Sequence, residues 1–203
     1  MKNLKLTALV AALIAISATV AAKSNSTIGS VYVSYSPMSF YDNGYLIPGL
    51  GMDRKQFTAF TAGINNAHIL SREVPFFLEY GLAGQYSYWN KNDKDFYIRM
   101  VSAKVPLSLG FVFDWDPITL APYAGVDGIG YIWGTASSVD LFSNDGLGLN
   151  RFGINWHAGA KLFIGEFLIG VAYEGAVSSL YRDETLGTNL TARQVNISLG
   201  FKF

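Results

Sequence analysis

The chain has 203 residues, with 15 basic and 15 acidic side chains that balance to zero, half of its residues hydrophobic and no cysteine. The balance leaves no basic excess for nucleic-acid phosphates. The missing cysteines exclude disulfides, thiolate metal sites and a lipid-modified N-terminal Cys.

Lys2 and Lys5 precede an apolar run from Leu6 to Val20, followed by Ala21, Ala22 and Lys23. A basic start, a short apolar middle and small residues at the end read as a secretory signal peptide over residues 1–22, with Val20 and Ala22 in the positions the peptidase reads. A single membrane anchor is the alternative, for which the run is short. Residues 23–203 then form one domain. No later apolar run approaches the ~20 residues a membrane helix needs. An apolar, aromatic-rich and glycine-rich chain of this kind fits a membrane barrel, where apolar residues fall at alternate positions.

The first expected strand is 28–35, with Val31, Val33 and Tyr35 on one face and Ser30, Tyr32 and Ser34 on the other. Residues 36–53 carry Pro37, Gly44, Pro48, Gly49 and Gly51 and read as a long loop. Strands follow over 54–66, 74–89, 96–113, 118–133, 151–164 and 167–177. Asp114 to Pro117 is expected to be a four-residue turn, and Gly165-Glu166 a two-residue type II′ turn. The closing strand, 191–203, sends Val195, Ile197, Leu199, Phe201 and Phe203 to one face and Gln194, Asn196, Ser198, Gly200 and Lys202 to the other.

These are eight strands with short and long connections alternating, and the short ones share an end with Phe203. Aromatics sort into two levels, one including Phe76, Phe111, Trp115, Phe163 and Phe203, the other including Tyr86, Trp89, Tyr97, Tyr131 and Trp133. Even strand number, short inner turns, longer outer loops and two aromatic girdles describe an all-β, eight-stranded antiparallel transmembrane β-barrel with both termini periplasmic.

Several stretches resemble the outer-membrane β-barrel domain of the porin-family type, common in Bacteroidetes. They are Val74-Pro75-Phe76-Phe77-Leu78-Glu79-Tyr80-Gly81-Leu82, Val105-Pro106-Leu107, Leu120-Ala121-Pro122-Tyr123-Ala124-Gly125, His157-Ala158-Gly159-Ala160-Lys161-Leu162, Val171-Ala172-Tyr173-Glu174-Gly175 and Leu199-Gly200-Phe201-Lys202-Phe203. The resemblance is spread over residues 28 to 203. It implies outer-membrane location, outer-membrane lipid including lipopolysaccharide as surroundings, and periplasmic chaperones and the barrel-assembly machinery as partners. It makes Phe201 and Phe203 part of the signal that machinery reads. It implies no catalytic residues.

The polar faces carry Glu79, Lys104, Asp127, Lys161, Glu174 and Lys202, together with His157. Pairing Ile164 with Phe167 across the Gly165-Glu166 turn sets His157 opposite Glu174. Pairing Phe113 with Ile118 sets Lys104 opposite Asp127. An eight-stranded barrel is just wide enough for side chains to fill, so the expected interior is a packed ionic plug. The alternative is a narrow porin-like path for water, ions or small solutes lined by the same groups; the residues alone do not separate the two. A third reading, an exported soluble barrel that binds an apolar ligand, needs apolar side chains pointing inward.

Of the two histidines, His68 reads as a solvated turn residue and His157 as an inward one, with Asn155 and Gly159 as its same-face neighbours along the strand and no serine beside it. A nucleophile needs a base within ~3 Å, so no enzymatic activity is expected. Asp140, Asn144 and Asp145 read as solvated loop residues rather than a calcium loop, and no cofactor is expected. The expected role is structural or one of surface interaction, with any surface ligand unnamed.

Overall fold

The structure is a computed structural model and describes residues 27–47, 57–70, 75–90, 97–143, 145–183 and 187–203. The expected signal peptide, residues 1–22, lies outside the described residues. The strands in chain order are β1 (Thr27–Asp42), β2 (Tyr45–Leu46), β3 (Phe57–Ile69), β4 (Phe76–Asn90), β5 (Tyr97–Phe111), β6 (Phe113–Trp115), β7 (Ile118–Ala136), β8 (Val139–Asp140), β9 (Phe152–Ile164), β10 (Phe167–Ala176), β11 (Tyr181–Asp183) and β12 (Thr188–Lys202). The eight long ones form the wall in the order β1, β3, β4, β5, β7, β9, β10, β12, and β12 pairs back onto β1. All these pairings are antiparallel. Closure gives each of the eight wall strands a neighbour on both sides, which pairs the backbone groups that hydrocarbon does not tolerate unpaired.

Alternation sorts the wall as the sequence predicts. Val31, Val33, Leu107, Leu109, Val171, Ile197 and Leu199 point outward and are exposed, whereas Ser34, Thr61, Gln85, Ser102 and Ser108 point inward and are buried. This sorting inverts that of a soluble barrel holding an apolar ligand. It gives the outer wall the apolar band that a bilayer requires.

Three local expectations change. First, β1 runs on to Asp42 where a loop was expected. Pro37 interrupts the ladder to β12 between Tyr35↔Ile197 and Met38↔Gln194, but pairing to β3 continues through Pro37↔Thr58. A missing N–H costs a ladder bond on one side only.

Second, the loop after β5 closes over Asp116 and Pro117 rather than over four residues. β6 pairs Phe113 with Leu120 and Trp115 with Ile118. Asp114 becomes a strand residue whose Oδ1 accepts from Thr119 Oγ1 at 2.8 Å. Phe113 stacks on Trp115 with ring centroids 5.9 Å apart, which extends the lower girdle. The register of β5 against β7 therefore shifts by two: Leu107 faces Val126 and Lys104 faces Ile129.

Third, Trp89, Tyr131 and Phe163 leave the girdles and pack inside, by strand parity: Trp89 and Phe163 occupy inward positions of β4 and β9. Tyr131 stacks on Phe142 with centroids 5.3 Å apart, next to a register irregularity in which Val101 faces Trp133 but Ser102 faces Tyr131. The Gly165-Glu166 turn is as expected. Gly165 has φ +60° and pairs Ile164 with Phe167, the II′ arrangement that favours Gly first.

Candidate functional site

The lumen is built in three layers. At the long-loop end Met38, Phe40, Phe57, Trp89, Met100, Leu141, Phe142 and Leu180 pack into an apolar cap. The segment after β8 supplies two of these residues because it folds back into the mouth. Phe142 N donates to Asp140 Oδ1 at 2.7 Å, so Asp140 shapes this loop, and Arg151 lies 5.4 Å above the Phe142 ring. At the short-turn end Ala67, Phe77, Ala121, Phe163 and Leu168 form an apolar floor. Between them sits the polar layer, around a cavity of about 70 Å³.

Six of the seven expected interior charged or titratable residues meet in this layer: Glu79, Lys104, Asp127, His157, Lys161 and Glu174 are all buried. Lys202 stands apart from them, with Nζ 5.7 Å over the Phe163 ring at the floor. The partners differ from the expected ones. Lys104 Nζ donates to both Glu174 oxygens at 2.6 Å, His157 Nδ1 lies 2.9 Å from Asp127 Oδ2, and Lys161 Nζ donates to Glu79 Oε2. The register places His157 beside Glu174 as expected. It does not place Lys104 beside Asp127, which faces Pro106 instead. The side chains then choose partners across the lumen.

Glu174 is the hub. Besides Lys104 it accepts from Asn155 Nδ2 at 2.7 Å, Gln194 Nε2 at 2.6 Å and Asn196 Nδ2 at 3.1 Å. Glu79 also accepts from Asn65 Nδ2 at 3.1 Å. Buried carboxylates persist only when paired and hydrogen-bonded in this way.

The premise that His157 has no serine partner fails. Ser108 Oγ on β5 lies 2.8 Å from His157 Nε2 on β9. The expected register had placed Tyr123 opposite Ser108. The actual one runs Ser108↔Gly125 and Gly125↔His157 across three adjacent strands. Ser108 was legible as an inward residue by alternation; its neighbour was not.

His68 is a strand residue, not a turn residue. Its Nδ1 is 2.9 Å from Thr27 Oγ1, its Nε2 is 3.1 Å from Tyr80 Oη, and its ring stacks on Tyr80. Phe203 pairs with Gly29 through both backbone bonds, at 2.9 and 3.2 Å, and Phe201 faces Val31 and Phe167. The two thus sit on the seam that closes the barrel.

No protein-family model matches the chain, and no curated protein matches it. Solved structures do. The outer-membrane enzyme PagL aligns with a TM-score of 0.51 at 11% identity, over 84% of this chain and 97% of that one. Ail of Yersinia pestis, in complex with the heparin analogue sucrose octasulfate, aligns at 0.47 and 13% identity, over 88% and 99%. Neisserial surface protein A aligns at 0.46 and 12% identity, over 86% and 97%. The chain has the closed, eight-stranded antiparallel fold of small bacterial outer-membrane β-barrels.

Proposed function

We propose that the protein is an integral outer-membrane β-barrel, of the porin-family type its motifs resemble, whose lumen is shut and whose role is structural or one of surface interaction through the long-loop end. The observation that carries this reading is the layering of the lumen: an ionic layer closed between two apolar layers, inside a wall whose outer face is apolar. A wall of this kind needs a bilayer around it, and lipopolysaccharide supplies the outer leaflet. Export through residues 1–22, escort by periplasmic chaperones and recognition of Phe201 and Phe203 by the assembly machinery complete the reading.

The test is location together with conduction. Mature protein is expected in the outer-membrane fraction, with unheated and boiled samples migrating differently on gels, and with no steady single-channel current in planar bilayers. Recovery in the soluble periplasm rejects the membrane reading, and a steady current rejects the shut lumen.

A second reading has one observation in its favour. Smaller cavities of about 30 and 20 Å³ lie on either side of the central one, and Glu174 lines the upper pair while Glu79 and Lys161 line the lower pair. Such a string suits a narrow water path. Osmotic swelling of proteoliposomes faster than protein-free controls, without ionic current, is the result that favours it.

A further inference from the structure

We propose that Ser108, His157 and Asp127 form a nucleophilic triad inside the barrel, with Ser108 the acyl acceptor for small uncharged esters that reach the central cavity. This goes beyond the shut-barrel role, and its failure leaves that role untouched. The order of contacts is the one acyl transfer needs. Asp127 Oδ2 sits 2.9 Å from Nδ1 and Ser108 Oγ 2.8 Å from Nε2. A carboxylate only accepts, so it holds the ring proton on Nδ1 and leaves the Nε2 lone pair facing the serine hydroxyl.

The scaffold keeps this arrangement. Ser108, Gly125 and His157 lie in one row across β5, β7 and β9, and Asp127 is two residues along β7. Gly125 leaves the gap through which the imidazole reaches Ser108. A Cβ there would lie 2.8 Å from His157 Nε2 and would collide with the Leu107 carbonyl oxygen. Tyr123 holds the ring edge-on, with centroids 5.7 Å apart.

Ser108 opens on the cavity of about 70 Å³, which Tyr32 and Tyr123 also line. A tyrosine hydroxyl is a donor of the kind a developing oxyanion needs. Ser34 and Ser198 line the same cavity, and Ser108 is the one bonded to the imidazole. Oγ attacks the ester carbonyl carbon while its proton passes to Nε2. The bond to the alcohol oxygen then breaks and the alcohol leaves with that proton. Water repeats the sequence on the acyl-serine, releasing the acid and restoring Ser108. The cavity is only about 70 Å³, so substrates are limited to esters of a few heavy atoms.

The test uses the full barrel, folded in detergent, with methanesulfonyl fluoride as probe and methyl acetate as ester, its hydrolysis followed as acid release. In the first reaction the Oγ–S bond forms and fluoride leaves. Peptide mapping is expected to find one methanesulfonyl group, on Ser108 and not on Ser34 or Ser198. Ester hydrolysis is expected to fall to the buffer rate in Ser108→Ala and by about a hundredfold or more in His157→Gln, each folded by gel mobility. Asp127 acts through the ring, so Asp127→Asn is expected to slow labelling and Asp127→Glu to restore part of it in equally folded protein. A folded parent without an adduct on Ser108, adducts spread evenly over lumen serines, or unchanged hydrolysis in Ser108→Ala each overturn the proposal. If Ser108→Ala does not fold, the adduct map of the parent decides alone.

Discussion

Lys104 on β5 and Glu174 on β10 meet across the lumen at 2.6 Å, although two other wall strands separate the strands that carry them. Each is buried, and Glu174 is only 2% exposed. Breaking one side of such a pair leaves a charge in a closed interior. Lys104→Met is expected to destabilise the barrel by roughly 3–5 kcal/mol. Urea unfolding in detergent or lipid measures it. Adding Glu174→Leu is expected to cost less than the two single changes summed. Lys104→Met with Asp127→Leu is expected to show the smaller coupling, because these two do not pair. Equal coupling in both cycles would sink this account of the interior.

The lipid-facing wall makes a second prediction. Leu107 and Leu199 point outward at 48% and 58% exposure. An Arg at either is expected to cost roughly 2–4 kcal/mol near mid-bilayer. Unfolding from lipid vesicles measures the loss, and an unchanged free energy for both would mean that this face does not meet hydrocarbon.

The apolar cap makes a third. Phe57 and Phe142 sit in this cap, above the ionic layer. Replacing either by Ala removes buried aromatic packing, at about 3–5 kcal/mol. Neither replacement is expected to produce steady current, because the floor around Phe77 and Phe163 still closes the other end. Planar-bilayer recording separates this from a barrel gated at its mouth alone, in which Phe142→Ala would conduct.

The closing seam makes a fourth. Phe203 lies against Gly29, where an added Cβ would come within 2.6 Å of its ring. Phe203→Ala is expected to lower the assembled amount in cells while folding in detergent changes little, which pulse-chase and gel mobility follow. Gly29→Val is expected to disturb the seam in both settings, since it displaces the ring instead of deleting it. Normal cellular assembly of Phe203→Ala removes the assigned role of this residue in assembly.

The faces of the strands were legible from sequence, because successive side chains of an extended chain alternate and a bilayer outside with a narrow lumen inside makes each alternation one-sided. That rule alone places Leu107 and Leu199 outward and Glu79, Lys104 and Glu174 inward. The Gly165-Glu166 turn likewise sets His157 against Glu174, since a two-residue loop leaves one register.

Two things needed the tertiary structure. The length of a loop fixes register only once its end residues are known, and Asp114 belongs to a strand through its bond with Thr119. That slip of two moved Ser108 from beside Tyr123 to beside Gly125, and so into reach of His157. The ion pairs needed barrel closure itself. Lys104 and Glu174, and Lys161 and Glu79, lie on strands that are not neighbours, and they meet because closing eight strands brings opposite walls within the reach of one lysine.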